Sequence, residues 1–103
     1  MIGELTNRQV YLACGATDLR RGIDGLAVLV REQFDLDPFS SCLFVFCNRN
    51  RDKLKCLFWD VNGFWLLQRR IEKGRFDWPQ DGQTPMNISY RQLRWLMDGL
   101  SIR

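Results

Sequence analysis

The chain contains no histidine. The commonest general acid–base is therefore missing. There is no Gly-x-Ser-x-Gly and no Gly-Lys-Ser/Thr phosphate loop, which removes the signatures of nucleophile-elbow hydrolases and P-loop NTPases. Gly22-Ile23-Asp24-Gly25 is too sparse a glycine pattern to indicate a nucleotide site. No apolar run approaches the ~20 residues that span a bilayer. The start, MIGELTNRQVYLA, places Glu4 before any apolar stretch and lacks a basic beginning, unlike a secretory signal. The expected location is the cytoplasm, with no membrane partner.

Cysteine is present but poorly arranged for chemistry. Cys14, Cys42, Cys47 and Cys56 include no Cys-x-x-Cys pair. A zinc site would need all four thiolates at irregular spacings. A disulfide is the other option. The plainer reading is four reduced thiols serving as small apolar residues. Cys42 and Cys47 fall on opposite faces if they share a strand. Asp18, Asp24, Asp60 and Asp98 are possible magnesium ligands, but each also has a local role at a helix start, a turn or a helix end. The expectation is a protein with no cofactor, no metal and no catalytic residue.

What is present is a full complement of core-forming residues. In 103 residues, 46% are hydrophobic and four are Trp, enough for one ordinary domain over residues 1–103. Charge is unevenly placed. Between Asn48 and Phe76 stand Arg49, Arg51, Lys53, Lys55, Arg69, Arg70, Lys73 and Arg75 against Asp52, Asp60 and Glu72, leaving +5. The rest of the chain is net −2, although the whole is only +3. A basic middle of this kind signals a polyanion partner.

The pattern predicts α+β architecture in a single domain: a mainly antiparallel sheet with a long hairpin, one N-terminal helix and a short C-terminal helix. Gln9–Cys14 reads as a first strand, and Thr17 or Asp18 as the cap of a short helical turn. Ile23, Leu26, Ala27, Val30 and Phe34 recur at steps of three and four, which predicts a helix over 23–34. Asp37-Pro38 is expected to end it. Cys42–Cys47 (CLFVFC) reads as a strand buried on both faces. Leu54–Trp59 and Phe64–Ile71 flank Asp60-Val61-Asn62-Gly63, a hairpin signal whose loop holds two residues or four. Arg75–Trp78 is expected to add a short strand, and Gln80–Met86 a mobile polar loop. Ser89 with Gln92 is a capping box for a last helix, and Gly99 its left-handed terminator, with Leu100 packing back.

The hairpin brings Lys55 near Gln68–Arg70. The nucleic-acid contact is therefore assigned to Arg49, Arg51, Lys53, Lys55, Arg69, Arg70, Lys73 and Arg75, with Asn48 and Asn50 adding hydrogen bonds. An ordinary charged sheet edge, which blocks association, explains the same residues. Most aromatics belong to the core rather than to a stacking platform. Trp78 and Trp95 are the expected partner-binding aromatics.

Thr17-Asp18-Leu19-Arg20, Gly25-Leu26, Asp37-Pro38-Phe39-Ser40, Leu43-Phe44-Val45-Phe46, Asn48-Arg49, Asp52-Lys53-Leu54-Lys55, Trp59-Asp60, Gly63-Phe64, Leu66 and Lys73-Gly74-Arg75-Phe76-x-Trp78-Pro79 occur in order. The closing Gln92-Leu93-x-x-Leu96-x-x-Gly99 follows. Together they resemble the small second-frame accessory protein (Orf2, TnpB-like) of insertion-sequence-sixty-six elements, over about Val10 to Leu100. This is not the RNA-guided nuclease that shares the TnpB name. The resemblance implies a non-catalytic part in transposition, beside a separate transposase that carries the acidic triad. DNA and the cognate transposase are the implied partners, with a pure protein–protein adaptor as the alternative. Cys47 and Asn50 stand where the family more often has arginine.

Overall fold

The computed structural model describes the backbone of residues 3–100. A 3-10 turn over Gly3–Asn7 leads into β1 (Val10–Leu12). Helix α1 (Ile23–Gln33) crosses to β2 (Leu43–Cys47), which lies parallel to β1. Strands β3 (Lys53–Asp60) and β4 (Gly63–Arg70) follow, antiparallel to β2 and to each other. Strand β5 (Met86–Ile88) returns antiparallel to β1, and α2 (Tyr90–Met97) closes the chain. The five-stranded sheet has the order β4-β3-β2-β1-β5. Two helices and a mostly antiparallel sheet make this an α+β domain.

Burial on both faces of the sheet explains why every residue of β2 is buried. On one face, Leu26, Leu29 and Val30 of α1, with Phe34 at its C-terminal cap, pack on Phe44, Phe46 and Leu57. On the other, Leu93 and Leu96 of α2 join Phe76 and Trp78 over Leu43, Val45 and Phe58. Cys47 lies on the α2 side and Cys42 on the α1 side. Burial pushes the thiols of Cys47 and Cys56 up to about 12. Below 9.0 both thiols are neutral folded or unfolded; above it the unfolded chain sheds protons that the folded one keeps. Stability should therefore fall progressively from pH 9.0 towards 12, as read by denaturant midpoints. A midpoint that does not move across that range contradicts this.

Local signals explain most element ends. Ser89 Oγ accepts from Gln92 N–H at 3.0 Å while Gln92 Oε1 accepts from Ser89 N–H at 2.9 Å, the reciprocal capping box. Gly99, at φ +85°, lets Leu100 N–H reach Trp95 O at 2.8 Å. Leu100 itself remains exposed rather than packing back. Helix α1 stops before Asp37-Pro38, because Asp35 turns left-handed at φ +55° and Leu36 N–H bonds back to Val30 O. The hairpin closes on the pair Asp60–Gly63, so its loop is the two-residue version. Asn62 N–H reaches Asp60 O at 2.6 Å, and Val61 is held at φ +53°.

Three further expectations change. Asp18–Arg21 forms a single hydrogen-bonded turn, Arg21 N–H to Asp18 O, in which Asp18 is the capping residue but no helix follows. Arg75–Trp78 is no strand. That segment instead sends Phe76 and Trp78 into the core, both fully buried. The end of the expected polar loop, from Met86, is strand β5, where Asn87 Nδ2 also donates to Val10 O at 3.0 Å.

Candidate nucleic-acid interface

Asn48 organises the connection between β2 and β3. Its Oδ1 accepts from the N–H groups of Asp52 and Lys53, each at 3.1 Å, and its Nδ2 donates to Asp52 Oδ1 at 2.6 Å. Arg51 N–H closes the turn onto Asn48 O, with Arg51 left-handed at φ +59°. The amide of Asn48 is therefore engaged in folding the turn. The same geometry leaves Arg49 and Asn50 exposed at the turn.

A second loop faces this turn. Thr17 N–H donates to Cys47 O at 2.8 Å, which docks the loop on the end of β2. Gly15, at φ +78°, makes the preceding bend, where a Cβ would stand 3.4 Å from Gln80 O. Asp18 receives Arg20 N–H at 3.0 Å and the Arg20 Nη2 at 2.7 Å. The side-chain hydrogen bond from Arg20, then its backbone one, holds the Asp18 carboxyl well below the usual carboxylate range. This pair is exposed and serves to shape the loop.

Between the two loops lies a cleft of about 670 Å³, lined among others by Thr17, Arg20, Arg49, Asn50, Lys53 and Gln68. Among the described residues, neither Arg49 nor Lys53 has an ion-pair partner. No aromatic side chain lines the cleft. It offers cations and amides, beside the Asp18 carboxylate that Arg20 neutralises, and no stacking platform for bases.

The eight basic residues assigned to the contact divide. Ile71 N–H donates to Asp52 O at 2.8 Å and Phe76 N–H to Arg51 O at 2.7 Å. These bonds set the turn carrying Lys73 and Arg75 beside the one carrying Arg49, Arg51 and Lys53. Lys53 stands opposite Arg70 in the hairpin, but Arg70 pairs with Glu72 at 2.9 Å on the surface. Arg69, one residue earlier, takes the other face and donates from Nε to Met97 O at 3.2 Å. There it neutralises the negative end of α2. The period of two in a strand thus separates neighbours that are adjacent in sequence.

Lys55 has partners within the fold. Its ammonium donates to Leu19 O at 2.6 Å and Arg21 O at 3.2 Å, pinning the Thr17–Arg21 loop to β3. Lys55→Met should lower stability by about 1–2 kcal/mol, since charged hydrogen bonds are lost. It should weaken DNA binding while leaving the salt slope unchanged. A slope smaller by about one would instead make Lys55 a direct phosphate contact.

The two partner-binding tryptophans part company. Trp78 is fully buried, and its Nε1 donates to Ala13 O at 2.9 Å, so it is a core residue and not a surface contact. A tryptophan between charged residues and a proline looks exposed in sequence; an indole that finds a carbonyl inside the fold is not. Trp95 is 42% exposed on α2. Sequence reasoning also left Arg20 and Thr17 out of the site. The signal for them was the Thr17-Asp18-Leu19-Arg20 segment, which carried the family resemblance but lies far from the basic run.

The four aspartates considered for a metal take separate places. Asp18 holds Arg20, and Asp60 lies 3.5 Å from Arg8. Among the described residues no group of three or more His, Cys, Asp or Glu gathers as a metal site, and no helix is long and apolar enough to cross a membrane.

Comparison with known proteins bears on this arrangement. No solved structure matches the chain. Two proteins of Sinorhizobium fredii (strain NBRC 101917 / NGR234) are similar to it. Uncharacterized protein y4hO is 38% identical over 97 residues, covering 94% of this chain and 84% of that protein. Uncharacterized protein y4jC is 32% identical over 100 residues, covering 97% of this chain and 86% of that protein. The family model for the IS66 Orf2 like protein matches residues 8–103, a span that takes in both loops of the cleft, the hairpin and α2. The ordered motifs that suggested an insertion-sequence protein are thus matched along nearly their whole length, and the chain belongs to the IS66 Orf2-like family, with the transposition-associated accessory role that membership carries.

Proposed function

We propose that this protein grips the phosphate backbone of duplex DNA in the cleft between the Thr17–Arg21 loop and the Asn48–Lys53 turn. In doing so it helps the separate transposase engage its DNA. One observation carries this reading: Arg49 and Lys53 border a cleft of about 670 Å³ with no counter-ion of their own among the described residues. Such cations are held for a polyanion, because a phosphate supplies what the fold withholds. Arg51, Lys73 and Arg75 extend the surface beyond the cleft. The protein acts as one cytoplasmic domain without chemistry of its own, and the cognate transposase is its protein partner.

Duplex DNA of arbitrary sequence should bind at about 50 mM salt, where phosphate contacts dominate. Absence of binding there overturns the reading. The adaptor alternative rests on the exposed Trp95. Co-purification with the transposase separates the two. A complex that dissolves on nuclease treatment supports DNA bridging, and one that survives nuclease while the protein binds no DNA supports the adaptor.

A further inference from the structure

The two edges of the sheet are unequal. The β5 edge is three residues long and follows Pro85, which blunts it. The β4 edge is eight residues long and has no proline. Its amides alternate in direction, and the flanking bonds fix which ones face out. Lys53 O turns to β2 to receive Asn48 N–H, and Asp52 O turns to β4 to receive Ile71 N–H. Even-numbered residues of β3 and odd-numbered residues of β4 therefore bond each other. Phe64, Leu66, Gln68 and Arg70 direct their N–H and C=O groups away from the sheet. The stretch from Phe64 to Leu67 carries no charge to deter a neighbour, and Trp65 within it is 45% exposed.

We propose that this edge pairs with the same edge of a second copy, antiparallel about a two-fold axis at Leu66. In that register Leu66 meets its own counterpart, Trp65 meets Leu67, and Phe64 meets Gln68. Every outward-facing amide from Phe64 to Gln68 then gains a partner. The charge pattern selects this arrangement. Arg69 and Arg70 of one copy fall beside Gly63 and Asn62 of the other, roughly 20 Å and 27 Å from their own counterparts at ~3.4 Å per residue. A parallel pairing would set the four arginines together. The two-fold axis stands perpendicular to the sheet, so the α1 faces of both copies stay on one side. Both clefts then open towards the same side of a ten-stranded sheet. Dimerisation itself does not depend on the clefts binding DNA.

A pairing of five residues per strand is small beside the ~1,000 Å² of a tight interface, so association should be reversible and concentration-dependent. Sedimentation from about 5 to about 200 μM should show the mass rising from one chain to two. Gln68→Pro removes an outward amide and no bond of the β3–β4 ladder, and should stay at one chain throughout. Hydrogen exchange of the unmodified protein gives an independent reading: the Leu66 and Gln68 amides should slow on concentration and quicken on dilution. A single-chain mass at every concentration overturns the proposal. So does a folded Gln68→Pro variant that dimerises as the unmodified protein does, or exchange at Leu66 and Gln68 that ignores concentration. Slowing of these amides only on adding transposase, with the mass otherwise single, would assign the edge to a foreign strand instead.

Discussion

Trp78→Ala is expected to remove most of the stability of this domain. The side chain is fully buried in the cluster under α2 and reaches just past the end of β1, where its Nε1 donates to Ala13 O at 2.9 Å. Truncating a buried Trp costs about 3–5 kcal/mol. Domains of this size have about 5–15 kcal/mol in all. The midpoint of thermal unfolding should fall by roughly 15–25 °C. Trp78→Phe separates the two contributions. It keeps much of the apolar area but strands a buried carbonyl, for about 1–3 kcal/mol. A loss below about 1 kcal/mol for the alanine variant would contradict the buried position. Because Ala13 precedes the loop that carries Thr17 and Arg20, this core contact also holds one wall of the cleft.

Reversing Arg49 and Lys53 together to Glu should produce the largest functional effect. Each neutralised phosphate releases counterions, and at about 50 mM salt two such contacts are worth roughly a hundredfold in affinity. Reversal adds repulsion to that loss. Stability should change little, since both side chains lack ion-pair partners among the described residues. The folded spectrum and thermal midpoint serve as controls. Reversing Arg69 and Arg70 should do less to DNA binding, because one is spent on Met97 O and the other on Glu72. Equal losses from the two pairs would place the contact at the hairpin and not in the cleft.

The sequence showed much of the fold where local chemistry is strong. The apolar spacing in α1, the uninterrupted CLFVFC run of β2, and the Ser89–Gln92 box are each short-range signals that the packing did not overrule. Strand β5 was hidden because three residues carry too little periodicity; it exists only because β1 offers an edge. Trp78 was misplaced because nothing local reveals that a carbonyl waits for its indole at Ala13. The cleft was half legible. Charge clustering pointed to Arg49 and Lys53, which border it. It could not show that Lys55 and Arg69 hydrogen-bond backbone carbonyls or that Arg70 pairs with Glu72 on the surface. It missed Arg20, since that residue reaches the cleft through a loop docked on Cys47 O across 30 residues of chain.

The salt dependence of duplex binding tests the central claim most directly. If Arg49, Arg51, Lys53 and Arg75 each neutralise one phosphate, log affinity should fall against log salt with a slope near ~ −3.6, and the Arg49/Lys53 double reversal should reduce that slope by about 2. A slope near zero, or one that the double reversal leaves unchanged, would contradict a phosphate-binding cleft.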